Sequence, residues 1–131
     1  MREIPIGARG HYQLTLSAEH LASSANSLLP QVMATPIMIM MMEQAAMSAL
    51  VPYLEAGETS VGMMVNVEHL AATPPGHAVR AEAEVTKVEG RRIEFQVAAF
   101  DEQEQIGRGI HRRAVVELGK FNQRLKNKLK S

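Results

Sequence analysis

The segment from Val32 to Val51 is almost entirely apolar, and it limits the possible folds of this chain more than any other feature. Its interruptions are Thr35, Pro36, Glu43, Gln44 and Ser48. A helix that is apolar on all sides either lies at the centre of a globular protein or spans a membrane. The proline near the start and the carboxylate in the middle argue against a span. We therefore expect a buried central helix and no membrane association.

The residues at either end of this segment predict where the helix begins and ends. Thr35 is expected as the N-cap and Pro36 as the first helical residue, because threonine caps well and proline needs no N–H donor there. The end is expected between Pro52 and Gly57. Eight of the nine methionines fall between residues 33 and 64. Flexible thioether side chains can line an apolar pocket, but we interpret them first as core.

Strand-like patterns surround this helix. Residues 11–17 form one candidate strand, and four more follow the helix, separated by the turn at 73–76, the hairpin at Glu89-Gly90 and a polar loop at 101–105. In the first of the four, alternate residues are expected to face the core, namely Val61, Met63, Val65, Val67 and His69. One antiparallel sheet curved around one apolar helix is the simplest packing, which predicts an α+β hot-dog fold. Uncovered edge strands predict a homodimer, or a tetramer built from it.

Composition excludes several other classes of protein. A chain of 131 residues suggests one domain. The absence of cysteine excludes disulfides, a thiolate nucleophile and thiolate metal sites, and the five histidines lack a ligand spacing, so no metal is expected. Fourteen basic residues balance fourteen acidic ones, which gives no reason to expect a nucleic-acid partner. The N-terminus lacks the pattern of a secretory signal, so a cytoplasmic location is expected.

The end of the chain has a different charge. Residues 119–131 hold five basic residues and no acidic residue, and Phe121, Leu125 and Leu129 recur every four positions. This pattern predicts a short amphipathic helix packed on the body, although a basic tail also suits an anionic partner. We accordingly divide the chain into a domain at 1–118 and a tail at 119–131.

Glu43 is the most unusual residue of the apolar helix. A buried carboxylate costs free energy unless it is hydrogen-bonded or faces a cavity, and such groups are candidate general bases. The alternative is a carboxylate that points outward. Thr35 stands at the helix N-terminus, where free N–H groups suit an oxyanion. About 12 Å of helix separates the two residues. His69 or a neighbouring subunit would have to connect them.

His69 ends the first strand after the helix, just before a Pro-Pro turn. A histidine on an apolar face is commonly a hydrogen-bonded structural residue, and a position at a strand end also suits the rim of a cleft. Both interpretations stay open on the residues alone.

Five segments share the order and spacing of one known family. They are Ala34-Thr35-Pro36 with Glu43, residues 52–62, residues 69–76, residues 88–92 and residues 106–115. Together they resemble the fluoroacetyl-CoA thioesterase family of hot-dog proteins, from about residue 30 to residue 122. The resemblance implies a dimer that hydrolyses short acyl-CoA thioesters, with the CoA thioester as substrate and no cofactor.

The resemblance also implies roles for individual residues. It implies Thr35, Glu43 and His69 as the catalytic set, and places Gly62 and Arg113 beside the substrate. Leu29 and Met33 complete the candidate substrate-binding residues. No Phe, Tyr or Trp lies between Tyr12 and Tyr53. That absence, with the methionine-rich helix, predicts an acyl pocket that differs from the pocket of the fluoroacetyl specialist.

Two other functions compete with hydrolysis of a short or medium acyl-CoA. A non-catalytic hot-dog protein could bind an acyl-CoA, or another small apolar ligand, without turnover. A hot-dog dehydratase would also use a histidine and a carboxylate. We rank the dehydratase last, since no Asp precedes a His by a few residues in a strand-to-helix loop.

Overall fold

A five-stranded antiparallel sheet curves around one long helix in the computed structural model, which describes residues 1–130. The elements are β1 (Arg9–Thr15), a 3-10 turn (Ala18–His20), α1 (Ala22–Ala25), α2 (Thr35–Leu50), a second 3-10 turn (Val51–Tyr53), β2 (Glu58–His69), β3 (Ala78–Glu89), β4 (Arg92–Phe100), β5 (Gln105–Glu117) and α3 (Leu118–Leu129). The strand order is β1-β3-β4-β5-β2, so β1 and β2 are the edges. The observed sheet and helix have the predicted α+β arrangement. No helix within residues 1–130 has both the length and the apolar character to cross a membrane.

Helix α2 packs against the concave face of the sheet. Its buried residues are Met38, Met41, Met42, Ala45, Ala46, Ala49 and Leu50. The small residues Gly10 on β1 and Ala45 on α2 let the strand and the helix lie close together. A Cβ on Gly10 would overlap the carbonyl oxygen of Ala45. Full burial of a methionine stabilises a fold by about 1.5–3 kcal/mol. Because Met38, Met41 and Met42 are buried, the interpretation of the methionines as core is right for these three.

The start of α2 differs from the prediction. The helix begins at Thr35 with Ala34 in the N-cap position, and no side chain caps it. The prediction of Thr35 as N-cap was wrong, because its hydroxyl is hydrogen-bonded to His69 instead of to the helix backbone. The helix ends at Leu50, slightly before the expected stop, and Gly57 takes the positive φ that its turn requires (81°).

A β-bulge at Met63 changes the face on which the residues of β2 lie. Gly62 pairs with Arg113 and Met64 with Arg112, so Met63 is one extra residue in β2. Ser60 and Gly62 face inward before the bulge, and Val65, Val67 and His69 face inward after it. The prediction that Val61 and Met63 face the core was wrong, and the Met63 side chain is 51% exposed. Simple alternation cannot reveal an inserted residue.

Helix α3 does form, but it is not packed on the body as predicted. Within the described part of the chain it has no buried residue, and only Phe121 is half-buried. The same apolar face leaves Leu125 45% and Leu129 86% exposed. The helix joins the domain through its first turn, where the Leu118 N–H donates to the Gly57 carbonyl oxygen.

Candidate active site

Thr35 and His69 form a direct hydrogen bond between the first turn of α2 and the last residue of β2. The Thr35 Oγ1 lies 2.8 Å from the His69 Nδ1. Among the described residues, the buried Nε2 of His69 has no hydrogen-bond partner. Burial lowers the pKa of His69 below its ordinary value of 6.5. The imidazole is therefore neutral at neutral pH, with one ring nitrogen available for a ligand or a proton.

An apolar cleft of about 470 Å³ opens beside this pair. Its walls come from α1, the loop before α2 and the segment after β2, and they are Ala22, Ala25, Leu29, Pro30, Val32, Met33, Ala34, Thr35, Pro36, His69, Ala71 and Ala72. Thr35 and His69 supply its polar side chains. The cleft brings four of the predicted residues together: Leu29, Met33, Thr35 and His69.

Glu43 lies eight residues after Thr35, just over two turns further along α2. Its side chain is 38% exposed, so it is neither fully buried nor directed wholly outward. The Oε2 of Glu43 accepts a hydrogen bond from the Arg113 Nη1 at 3.2 Å. The carboxylate in the apolar helix thus has a charged partner on β5, which explains how the fold accommodates it.

Arg113 is held by three further contacts. Its Nε donates to the Ser60 Oγ at 2.8 Å, its Nη2 donates to the Ser60 carbonyl oxygen at 3.1 Å, and its Nη1 donates to the His111 Nε2 at 3.2 Å. The side chain is 10% exposed. A guanidinium with this many partners is fixed in direction, and it fixes the direction of the Glu43 carboxylate.

Gly62 provides the space that the Glu43 carboxylate occupies. A Cβ built on Gly62 would lie 2.7 Å from the Glu43 Oε2 and 3.5 Å from the Arg113 Nη1. Any side chain at position 62 would push the carboxylate from its place. The need for glycine here arises from close approach and not from an unusual backbone angle.

Two groups of predicted residues therefore line one seam between α2 and β2. Thr35 and His69 lie at one end, and Glu43, Gly62 and Arg113 lie at the other. No hydrogen bond or ion pair among the described residues joins the two groups, so His69 does not bridge them by a hydrogen bond. Since β2 is an edge strand, the seam opens at the border of the sheet.

Sequence reasoning missed Ser60 and His111. Both are buried, and both contact Arg113. The signal for His111 was its spacing of two from Arg113 on one strand, which puts both side chains on the same face. Ser60 was hidden because the bulge reverses the alternation of β2 after Gly62. The described residues contain no group of His, Cys, Asp or Glu suited to hold a metal ion.

Comparisons with known proteins place this chain in a family. Residues 16–118 match the family described as fluoroacetyl-CoA-specific thioesterase. The chain belongs to this thioesterase family. A fluoroacetyl-CoA thioesterase of Streptantibioticus cattleyicolor is 48% identical over 99 residues, which are 76% of this chain and 71% of that protein.

Solved structures agree with the family assignment. A structure of the fluoroacetyl-CoA thioesterase FlK is 38% identical, with a TM-score of 0.89, and the match covers 96% of this chain and 98% of that one. A Thermus thermophilus hypothetical protein of the thioesterase superfamily is 32% identical, with a TM-score of 0.89, over 99% of this chain and 98% of that one. The predictions of a hot-dog fold and of a thioester hydrolase are confirmed.

Proposed function

We propose that this chain hydrolyses short or medium acyl-CoA thioesters to the free acid and CoA, with Glu43, Thr35 and His69 as its catalytic groups. The observation that carries the proposal is the seam between α2 and β2. It holds a hydroxyl–imidazole pair at one end and an arginine-paired carboxylate at the other. A protein that only bound an apolar ligand would have no need of that carboxylate.

Glu43 is the group that starts the reaction. Its carboxylate either removes a proton from the attacking water or attacks the thioester carbonyl carbon itself. In the second route an anhydride forms and CoA thiolate leaves, and water then cleaves the anhydride to release the acid. Arg113 and Gly62 serve both routes, because Arg113 orients the Glu43 carboxylate and Gly62 leaves space for it.

Thr35 and His69 act on the carbonyl and on the leaving group. When Nδ1 of His69 carries the proton, it donates a hydrogen bond to the Thr35 oxygen. The Thr35 O–H is then free to donate to the thioester oxygen. The N–H groups at the start of α2 add to that stabilisation. Nε2, unprotonated in that tautomer, would first take up a proton from water or from the acid formed and then supply it to the CoA thiolate.

The apolar cleft suits an acyl group larger than fluoroacetyl. Its volume of about 470 Å³ lies in the range of sites for drug-sized ligands. Apart from Thr35 and His69, its walls are alanine, valine, leucine, methionine and proline side chains, with no Phe, Tyr or Trp. Leu29 and Met33 are the largest apolar groups there. We infer that they contact the acyl chain and that the fluoroacetyl specificity of the named relatives does not carry over.

The proposed substrate carrier is CoA, and the proposed assembly is a homodimer. A variant of FlK in complex with acetyl-CoA is 38% identical to this chain, with a TM-score of 0.90 over 95% of it. Edge strand β2 leaves Met63 51% and Val65 39% exposed, and pairing with a second β2 would cover them. Such pairing would also enclose the open side of the seam.

The first experiment measures thiol release from a panel of acyl-CoAs, from acetyl and fluoroacetyl to hexanoyl and phenylacetyl, with wild type beside Glu43→Gln. We expect cleavage of some members, and a loss of about 100-fold to 10,000-fold in kcat for the folded variant. Equal rates for the two proteins would remove Glu43 from the mechanism. If the wild type cleaves none and an acyl-CoA raises its Tm, the chain is a binding protein.

A further inference from the structure

His111 is buried at the centre of the polar cluster behind Glu43, and the mechanism above does not use it. It is 1% exposed and stacks on Phe95, with ring centroids 6.0 Å apart. Its Nδ1 lies 2.8 Å from the Met64 carbonyl oxygen, and its Nε2 lies 3.2 Å from the Arg113 Nη1. Both ring nitrogens therefore have a partner, and the two partners differ in kind.

These partners determine where the proton of His111 resides. A carbonyl oxygen only accepts hydrogen bonds, so Nδ1 carries the proton. A guanidinium only donates, so Nε2 must be the unprotonated acceptor. Burial is the largest influence on the pKa of His111 and lowers it, which favours this neutral form. Arg113 on β5 and Glu43 on α2 are the charged groups near the ring; β2 presents the Met64 carbonyl and β4 presents the Phe95 ring.

The bulge at Met63 is linked to this arrangement. The extra residue lies directly before Met64, the residue whose carbonyl oxygen reaches His111. A bulge commonly redirects groups next to a functional site. Nη1 of Arg113 then connects His111 to the Glu43 Oε2, since it lies 3.2 Å from each acceptor.

We propose that His111 is a positioning residue: as its Nδ1–H tautomer, fixed by the Met64 carbonyl, it accepts a hydrogen bond from Arg113 and aims the guanidinium at the Glu43 carboxylate. The inference rests on the proposed role of Glu43. His111 acts through Arg113 and touches neither substrate nor reacting atoms. Protonation of Nε2 would remove the acceptor and add a second positive charge beside Arg113.

Three substitutions separate this role from simple packing. His111→Gln places an amide near Nε2 and keeps an acceptor for Arg113. His111→Asn reaches only the Nδ1 position and keeps a partner for Met64. His111→Phe keeps the ring and the stacking on Phe95 and has neither polar atom. With butyryl-CoA as the probe, we expect kcat to fall about tenfold or more for Asn and Phe, as for outer partners of functional groups. We expect a smaller loss for Gln and little change in KM for all three.

Two NMR measurements need no turnover. Long-range ¹H–¹⁵N spectra should show the His111 proton on Nδ1 in the wild type. Exchange of the Arg113 guanidinium protons with water should be faster in the Asn and Phe variants than in wild type and Gln. Equal kcat and equal exchange for Gln and Asn would overturn the proposal, as would a proton on Nε2. If the Phe variant does not fold, the Gln and Asn comparison still decides.

Failure of the proposed function has a different result. In that case the wild type cleaves no acyl-CoA, whereas the tautomer and the guanidinium exchange still report whether His111 holds Arg113.

Discussion

The Thr35 hydroxyl oxygen lies 2.8 Å from Nδ1 of His69, which joins the start of α2 to the end of β2 at the rim of the apolar cleft. Thr35→Val removes the hydroxyl and keeps the shape of the side chain. We expect kcat to fall about 100-fold to 1,000-fold, the usual cost of a lost oxyanion donor. Steady-state thiol release with butyryl-CoA measures it.

Thr35→Ser is the matched control, because it keeps the hydroxyl within reach of His69. It should retain most of the activity, and both variants should melt near the wild-type temperature since Thr35 does not cap α2. A Ser variant as slow as the Val variant would show that the hydroxyl is not what matters.

Thr35 and Glu43 lie at opposite ends of the seam, so a thioester that uses both can take them from different protomers of a dimer. Equal amounts of the inactive Thr35→Val and Glu43→Gln proteins, mixed and allowed to exchange subunits, test this. If the groups act across the dimer, the mixture should recover about a quarter of the wild-type rate, because each mixed dimer has one intact site. No recovery after verified exchange would place both groups in one chain.

Gly62→Ala should displace the Glu43 carboxylate, because the new Cβ would lie 2.7 Å from its Oε2. We expect kcat to fall about tenfold or more, as a misplaced catalytic group costs rate steeply. Gly119→Ala in α3 is the control, since a Cβ there meets no heavy atom within 4 Å. The control should match wild type in kcat, and an unchanged kcat for Gly62→Ala would contradict the close contact.

Stability should decrease as the solution is made acidic. Burial lowers the pKa of His69 and of His111 below 6.5, so the unfolded chain binds protons at a pH where the folded chain does not. The free energy of unfolding should be level above about pH 7 and fall as the pH drops from 6.5 toward the lowered values. Urea titrations at pH 8, 7, 6 and 5 measure the change.

His111→Gln tests the source of that loss. It removes one of the two titrating groups, so its free energy of unfolding should depend less on pH over the same range. A pH dependence as steep as that of wild type would exclude His111 as a contributor.

Leu29→Phe should narrow the cleft and shift acyl preference toward shorter chains. The ratio of kcat/KM for hexanoyl-CoA to that for propionyl-CoA should fall about tenfold, a difference typical of lost apolar contacts. Leu28→Phe is the neighbouring control, because Leu28 is 92% exposed and does not line the cleft. If both variants keep the wild-type ratio, Leu29 does not contact the acyl chain.

The spacing of apolar residues along the sequence predicted the helix and the strands, because apolar side chains recur at the period of the buried face of each element. The apolar run at 32–51 gave α2, and the turn at Gly90 gave the hairpin of β3 and β4. Gly76 lies in the turn between β2 and β3, which do not pair, and both glycines have positive φ, 89° at Gly76 and 61° at Gly90. Glu43 was found for a physical reason: a carboxylate in an apolar helix needs a partner. That partner, Arg113, was identified through the resemblance alone, since it lies 70 residues away on another element.

Three features could not be inferred from local patterns. The bulge at Met63 depends on how β2 pairs with β5, and it hid the inward position of Ser60. Thr35 has the ideal chemistry of an N-cap, yet a tertiary contact with His69 takes its hydroxyl. The amphipathic pattern of α3 predicts a helix correctly, but it does not specify which surface receives the apolar face.

The separation of the cleft from the Glu43 cluster has an evolutionary consequence. Leu29 belongs to an exposed loop, where substitutions and short insertions disturb little else. Hydrogen bonds through Arg113 link one helix and two strands, and they join Glu43, Ser60 and His111. A change in one of these residues therefore leaves the others without a partner. Descendants of such a chain can change the lining of the cleft through the loop while the Glu43 cluster stays as inherited.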